Sequence, residues 1–482
     1  MNTMWRCLAS QFIAATLLSA SCTSPVLSDE VPVPVSQEST QVVAVIPAGS
    51  LSPDKLAYLG AFRLPVADER PDTFEYGGEA MTYRPGGDAL GPDDGTPGSL
   101  FVMGHNRLPY GELPDGNRVA EIAIPAPVLG GSPDELPQAT LLQPFADIDT
   151  GVFSTLDEIP RVGMEYLETP SKDPRIHLAW GQHLQEDDRS RVASQASISC
   201  DLSGSDLQGP WRIGGQPLYA VNDYLFEIPA EWAESYAHGR RLATGRYRDG
   251  GWSGMGPQLF AYRSWDDDGA ALPPGSTLEA TVLLAYGRSD ETDAIERCLD
   301  GYQHADEWTG GAWLTTSSGG SAVLFAGTKA TGHRYWYGFI SPEGPDQPCV
   351  EPERADDPTA CRMADGTPCP PAARHVCAQP TSNRGWWSSS FAARFILYDP
   401  GDLARVATGM MQPWEPQPYA YIDIDEHLFG NPAGIEREML GAGAQRRFRL
   451  GDIAFDRDRG LLYVLELFAD DARPVVHVWS VG

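Results

Sequence analysis

One phrase recurs along this chain and limits what it can fold into. A glycine, a short strand-like run, a polar turn of variable length and a strongly apolar run follow each other in "GEAMTYRPGGDALGPDDGTPGSLFVMGH" from Gly78 and "GMEYLETPSKDPRIHLAWGQH" from Gly163. They do so again in "GAWLTTSSGGSAVLFAGTK" from Gly311 and "GDIAFDRDRGLLYVLELF" from Gly451. "GPQLFAYRSW" from Gly256, followed by "LEATVLLAYG" from Leu278, reads as a looser fifth copy. A second phrase, in which a strand ends at proline, appears in "VAEIAIPAP" (119–127), "YLFEIPAEWA" (224–233) and "RFILYDPGDLA" (394–404). The unit is strand, turn, strand, loop, strand-Pro, loop, strand. The 50 glycines and 41 prolines suit many short strands joined by turns.

Four antiparallel strands repeated around an axis describe a blade of a β-propeller. Short strands bounded by Gly and Pro also build β-sandwiches, but the repetition of one strand order selects the propeller. The last copy supplies only "GDIAF", "LLYVLELF" and "VVHVWSV" before the chain ends. A ring must leave no bare edge, so "KLAYLGAFRL" (55–64) is expected to add the fourth strand of that blade beside 474–480. The fold expected is all-β, with five blades the first choice and six or seven left open because 180–300 parses poorly. Helix is confined to one or two turns in "PAEWAESYAHG" (229–239) and "DPGDLARVATG" (399–409), both placed between third and fourth strands.

"YLGAFRLP", "EYGGEAMTY", "ADEWTGGAWL" and "LYDPGDLARVATG" resemble phrases of a family of exported bacterial β-propeller-like proteins, many from aquatic bacteria. The resemblance runs over most of the chain after its leader. It implies export and the propeller fold, and it carries no catalytic residues with it. The Cys-rich stretch at 345–380 looks like an elaboration on that family.

The N-terminus reads as an address. "MNTMWRCLASQFIAATLLSASC" has Arg6 in a short n-region, then an apolar run too short for a membrane span, which matches a signal peptide over 1–21. "LSASC" resembles a bacterial lipobox with Cys22 as the lipidated residue, although Ser19 stands in the usual Leu position. Residues 22–50, rich in Pro, Ser, Val and acids, read as a disordered tether, and 51–482 as one propeller domain. The expected locations are outer-membrane lipoprotein, periplasmic or secreted, with membrane contact only through the lipid anchor.

Export implies an oxidising compartment. Cys349, Cys361, Cys369 and Cys377 crowd into one acidic, Pro-rich stretch, with spacings wider than the CxxC pairs of structural zinc. Disulfides are expected there, and Cys200 with Cys298 could form a third bridge. The formal net charge of -31 repels nucleic acid and anionic membrane surfaces.

In a propeller the first strand of each blade lines the central channel. Acids recur there: Glu79 in "GGEAMTY", Glu165 in "GMEY" and Asp452 in "GDIAF", with Asp306 and Glu307 in "HADEWTGGAW". Converging carboxylates serve glycoside hydrolysis as a pair with separated pKa values, or calcium as hard oxygen ligands. They also cap strand ends or pair with arginine. "WDDDG" at 265–269, "PDDG" at 92–95 and "DID" at 147–149 and 423–425 are further candidates for surface calcium, without an EF-hand pattern. His105, His183 and His333 follow second strands, where they could share a rim and bind a transition metal. His105 with Tyr76, near Arg107 and Tyr110, could instead serve a polysaccharide lyase abstracting the C5 proton of a uronic acid. Trp and Tyr concentrate in "EWTGGAW", "HRYWYGF", "RGWWSSSF" and "MQPWEPQPYAY", as sugar-stacking platforms or as packing between blades. The expected function is recognition or cleavage of extracellular carbohydrate. The alternatives are a non-catalytic scaffold for a glycan or a surface protein, and a lyase.

Overall fold

The computed structural model describes residues 42–43, 45–67, 70–89, 91, 97–104, 118–148, 151–152, 161–169, 172–181, 193–204, 206–216, 220–248, 253–288, 297–332, 334–335 and 387–482. They form a β-propeller of five blades, each an antiparallel meander that starts at the axis. Blade 1 runs Met81–Arg84, Ser99–Met103, Arg118–Ala123, Leu141–Asp147. Blade 2 runs Arg161–Thr169, Lys172–Gly181, Gln195–Ser199, Gln208–Ile213, with Thr277–Leu278 added in parallel. Blade 3 consists of Leu225–Glu227, Leu242–Thr244, Leu259–Tyr262 and Ala280–Leu284. Blade 4 consists of Glu307–Thr315, Ser321–Ala330, Phe391–Tyr398 and Ala420–Asp423. Val42–Val43, from the stretch expected to be a tether, pairs on its outer edge.

Blade 5 takes Leu450–Asp456, Leu461–Asp470 and Arg473–Val481 from the end of the chain and Leu56–Arg63 from its beginning. The N-terminal strand pairs antiparallel with the C-terminal one, from Leu56 opposite Val481 to Arg63 opposite Val475. The inner strands pack in the cyclic order 1-2-3-4-5-1. The glycine of the recurring phrase is needed for that approach. A Cβ on Gly451 would stand 2.1 Å from the Gly78 carbonyl oxygen, and one on Gly163 2.3 Å from that of Asp223.

Each gap between blades holds its own apolar core. Phe101 and Met164 meet between blades 1 and 2, and Trp211 and Phe260 between 2 and 3. Phe226 and Phe325 fill the gap between 3 and 4, Leu324 and Val464 that between 4 and 5, and Leu100 and Tyr463 that between 5 and 1. Trp308 and Trp313 of the aromatic-rich stretch are buried in the third of these cores.

Three expectations need correction. "GPQLFAYRSW" and "LEATVLLAYG" hold the third and fourth strands of blade 3, not its first two. "YLFEIP" is that blade's inner strand, so helix Ala230–Tyr236 falls between first and second strands. Helix Pro400–Ala407 does lie between third and fourth strands, with Asp399 capping it through the Gly401 N–H and Pro400 fixing the first turn. The proposed third disulfide is absent: Cys200 is a free, buried thiol in the core between blades 1 and 2, whereas Cys298 packs against the core between blades 3 and 4.

Candidate functional site

The five inner strands enclose an axial pocket of about 310 Å³ at their C-terminal ends. Its wall carries Glu165, Glu168, Glu227, Asp456 and Asp458, with Arg241 and Arg457 among them. Tyr83, Tyr166, Phe226, Trp313 and Phe455 contribute ring surface, and only Phe455 of these is more than marginally exposed.

Glu165 is the sequence-predicted acid that reaches this pocket. It sits mid-strand in blade 2 and reaches both neighbouring blades. Its Oε2 accepts from the Thr82 hydroxyl of blade 1 at 3.1 Å, and its Oε1 from the Glu227 N–H of blade 3 at 3.0 Å. Thr82 in turn accepts from the Tyr166 N–H at 2.7 Å. Burial, and then the Glu227 carboxylate, push the Glu165 pKa up to about 8, against the opposing hydrogen bonds and Arg457. Glu165 is thus a carboxylic acid at neutral pH. Glu227 beside it is ion-paired with Arg241 and lies 3.6 Å from Arg457. Arg457 also donates to the Trp313 carbonyl at 3.2 Å and the Thr315 hydroxyl at 3.1 Å, which fixes it across blades 4 and 5.

The other expected acids act as fastenings. Asp452 is buried, with Oδ2 accepting from the Met81 N–H at 2.9 Å and Oδ1 from the Ile453 N–H at 2.8 Å. Burial raises its pKa well above the ordinary value against these two hydrogen bonds, and the nearby Asp223 adds to the rise. Glu307 opens the inner strand of blade 4 and takes Arg248 at 3.2 Å and Arg447 at 3.1 Å, one from blade 3 and one from the approach to blade 5. Asp306 holds Lys329 at 2.9 Å. Glu79 precedes the inner strand of blade 1, half-buried and off the pocket wall. Tyr76 also lies off it, with its hydroxyl 3.5 Å from Glu436 and its ring edge-on to Phe468. Sequence reasoning therefore found one wall acid, Glu165, and missed Glu227, which was hidden in a strand read as the third of its blade.

His105, His183, His333, Arg107 and Tyr110 lie outside the described residues, as do Cys22, Cys349, Cys361, Cys369 and Cys377. Among the described residues no group of three or more His, Cys, Asp or Glu side chains is placed to hold calcium or another metal ion.

No family model matches the chain, and no curated protein sequence matches it. Solved structures similar to it include one described as "Structure of Dos1 propeller", at 8% identity and a TM-score of 0.26, over 89% of this chain and 95% of that one.

Proposed function

We propose that the protein is a saccharide-binding propeller whose ligand enters the axial pocket. The observation that carries this reading is the pocket wall itself: one protonated carboxyl, ion-paired carboxylates, two arginines and several ring edges around about 310 Å³. Such a wall offers donors and acceptors at many angles with apolar surface between them, which suits a hydroxylated ring. Glu307 and Asp452, expected to be catalytic, are spent on arginines and backbone N–H groups, which favours binding over turnover. The leader-like N-terminus and Cys22 support a location outside the cytoplasm, where extracellular glycans are the available polymers.

A second reading is glycoside hydrolysis, supported by the raised pKa of Glu165. A protonated Glu165 beside an arginine-paired Glu227 has the form of a general acid and its carboxylate partner.

Purified protein offered to neutral-glycan and uronic-acid polymer panels separates these readings. Binding without product, weakened at least tenfold by Glu227→Ala and retained in Glu165→Gln, supports the binding reading. Product that disappears in Glu165→Gln replaces it with hydrolysis. Product from uronic-acid polymers alone, unaffected by Glu165→Gln, would favour a lyase. No binding on any panel removes the proposal.

A further inference from the structure

A polar chain runs through blade 5, and none of its members lines the axial pocket. Tyr58, on the strand that closes the ring, has its hydroxyl 2.9 Å from His477 Nδ1. His477 Nε2 is 3.0 Å from Glu466 Oε2, and Glu466 Oε1 takes Arg446 at 3.0 Å. The Phe429 and Gly430 N–H groups, both at 2.8 Å, complete the donors to that carboxylate. His477, Glu466 and Arg446 are at most 1% exposed, whereas Tyr58 is partly exposed. His427 stacks on the Tyr58 ring with centroids 4.2 Å apart, and Trp479 lies against it at 4.9 Å.

The direction of these hydrogen bonds follows from the carboxylate. Against the pull of burial, its donors bring the Glu466 pKa down to about 2, so it is ionised and only accepts. His477 therefore carries a proton on Nε2. In the neutral ring that leaves Nδ1 as an acceptor, aimed at the Tyr58 O–H. A phenol is thus held within proton-transfer reach of a base, and a buried carboxylate backs that base and would stabilise its imidazolium. Burial, and then the Glu466 charge, raise the phenol's pKa, so Tyr58 keeps its proton at rest. Removing an electron reverses that preference, because a phenol radical cation is a strong acid and the base is already in contact. A second phenol and imidazole in contact, Tyr302 and His304 Nδ1 at 3.1 Å, are 5% and 2% exposed, which shields them from a solute.

We propose that Tyr58 is a redox site, a one-electron donor to radical oxidants in solution with His477 as its proton acceptor. The electron passes from the Tyr58 ring to the oxidant, such as a peroxyl radical, which becomes the hydroperoxide anion. The Tyr58 O–H bond breaks and its proton goes to His477 Nδ1. The products are a neutral tyrosyl radical and a His477 imidazolium that keeps its Nε2–H on Glu466. The site stands whether or not the axial pocket takes a glycan, because it is built from different side chains.

The test follows the radical. The protein is flashed in the presence of tris(bipyridyl)ruthenium(II) and a cobalt(III) quencher, which leaves ruthenium(III) as the one-electron oxidant. The tyrosyl radical is read by optical absorption and by EPR. A tyrosyl signal is expected whose formation slows in D2O. Tyr58→Phe should remove at least half of it, and Tyr302→Phe should leave it unchanged. His477→Gln, which keeps a donor for Glu466 but has no basic nitrogen, should slow radical formation at least tenfold. If His477→Gln does not fold, Tyr58→Phe and the isotope effect decide. A signal undiminished in Tyr58→Phe, one removed by Tyr302→Phe instead, a rate indifferent to D2O, or a tryptophan radical alone would overturn the proposal. Axial binding is scored separately on the polymer panels, so failure of one site is not failure of the other.

Discussion

Asp452 in the last blade accepts the backbone N–H of Met81 in the first at 2.9 Å, across the seam where the ring closes. The same seam has the Asp452 N–H on the Gly78 carbonyl at 3.1 Å, and it admits no side chain at Gly451. Asp452→Ala leaves two buried N–H groups without an acceptor, at about 1–3 kcal/mol each. Gly451→Ala forces backbone apart. Both variants are expected to unfold at lower temperature than the parent in calorimetry. An unchanged midpoint in both would mean that the seam does not depend on these contacts.

Blade 5 should be the acid-labile part of the ring. Burial alone would raise the pKa of Glu466, but the His477 hydrogen bond at 3.0 Å, the Arg446 guanidinium and the Phe429 N–H override it and bring it down to about 2. A carboxylate depressed in the folded state stabilises above its unfolded value of about 4.5, and that contribution is lost as pH falls toward 2. Urea midpoints measured down this range are expected to fall steeply in the parent and less in Glu466→Gln, which starts lower. Parallel curves would refute the assignment.

Glu165 works in the opposite direction. Its folded pKa of about 8 exceeds the ordinary 4.5, so the folded chain holds the proton more tightly and stability declines as pH rises between these values. Glu165→Gln, which cannot ionise, should show a flatter profile across that window. A parent whose stability rises from pH 5 to 8 more steeply than the variant's contradicts a protonated Glu165.

Removing the chain through Arg63 takes away the strand that covers Arg473–Val481. The exposed edge is a template for pairing with another molecule. Size-exclusion chromatography should show oligomers, and a synthetic peptide of residues 55–64 should restore the monomer-sized peak. A truncated chain that stays monomeric and unfolds at the parent's temperature would mean that the ring does not rely on this strand.

Burial pushes the Cys200 thiol up to about 11, and its Sγ sits 3.4 Å from the Pro174 carbonyl. A maleimide applied to native protein at neutral pH should leave Cys200 unmodified in peptide mapping and label it once urea is added. Rapid native labelling would show that the core between blades 1 and 2 opens readily.

The ring was legible wherever first and second strands are long enough to repeat a pattern, as in blades 1, 2, 4 and 5. Blade 3 escaped because its inner strand, Leu225–Glu227, has three residues and its phrase ends in a proline like the third strands elsewhere. That lapse concealed Glu227. The fate of Glu307 was illegible for another reason: Arg248 and Arg447 come from different blades, so only the closed ring brings them to it. The alignment of Glu165, His177, Ser197 and Gln208 as cross-strand partners on blade 2 depends on pairing register, which one-dimensional spacing does not reveal across loops of unequal length.

Blade 5 also imposes a schedule on biogenesis. The segment Leu56–Arg63 leaves the ribosome before blade 1, yet its partner Arg473–Val481 is made after blades 1 to 4. Until that partner is made, a strand carrying Ala61 and Phe62, both buried in the closed ring, has no mate, and the ring is an open crescent. A holdase, or passage in an unfolded state to another compartment, would shield that strand until its partner arrives.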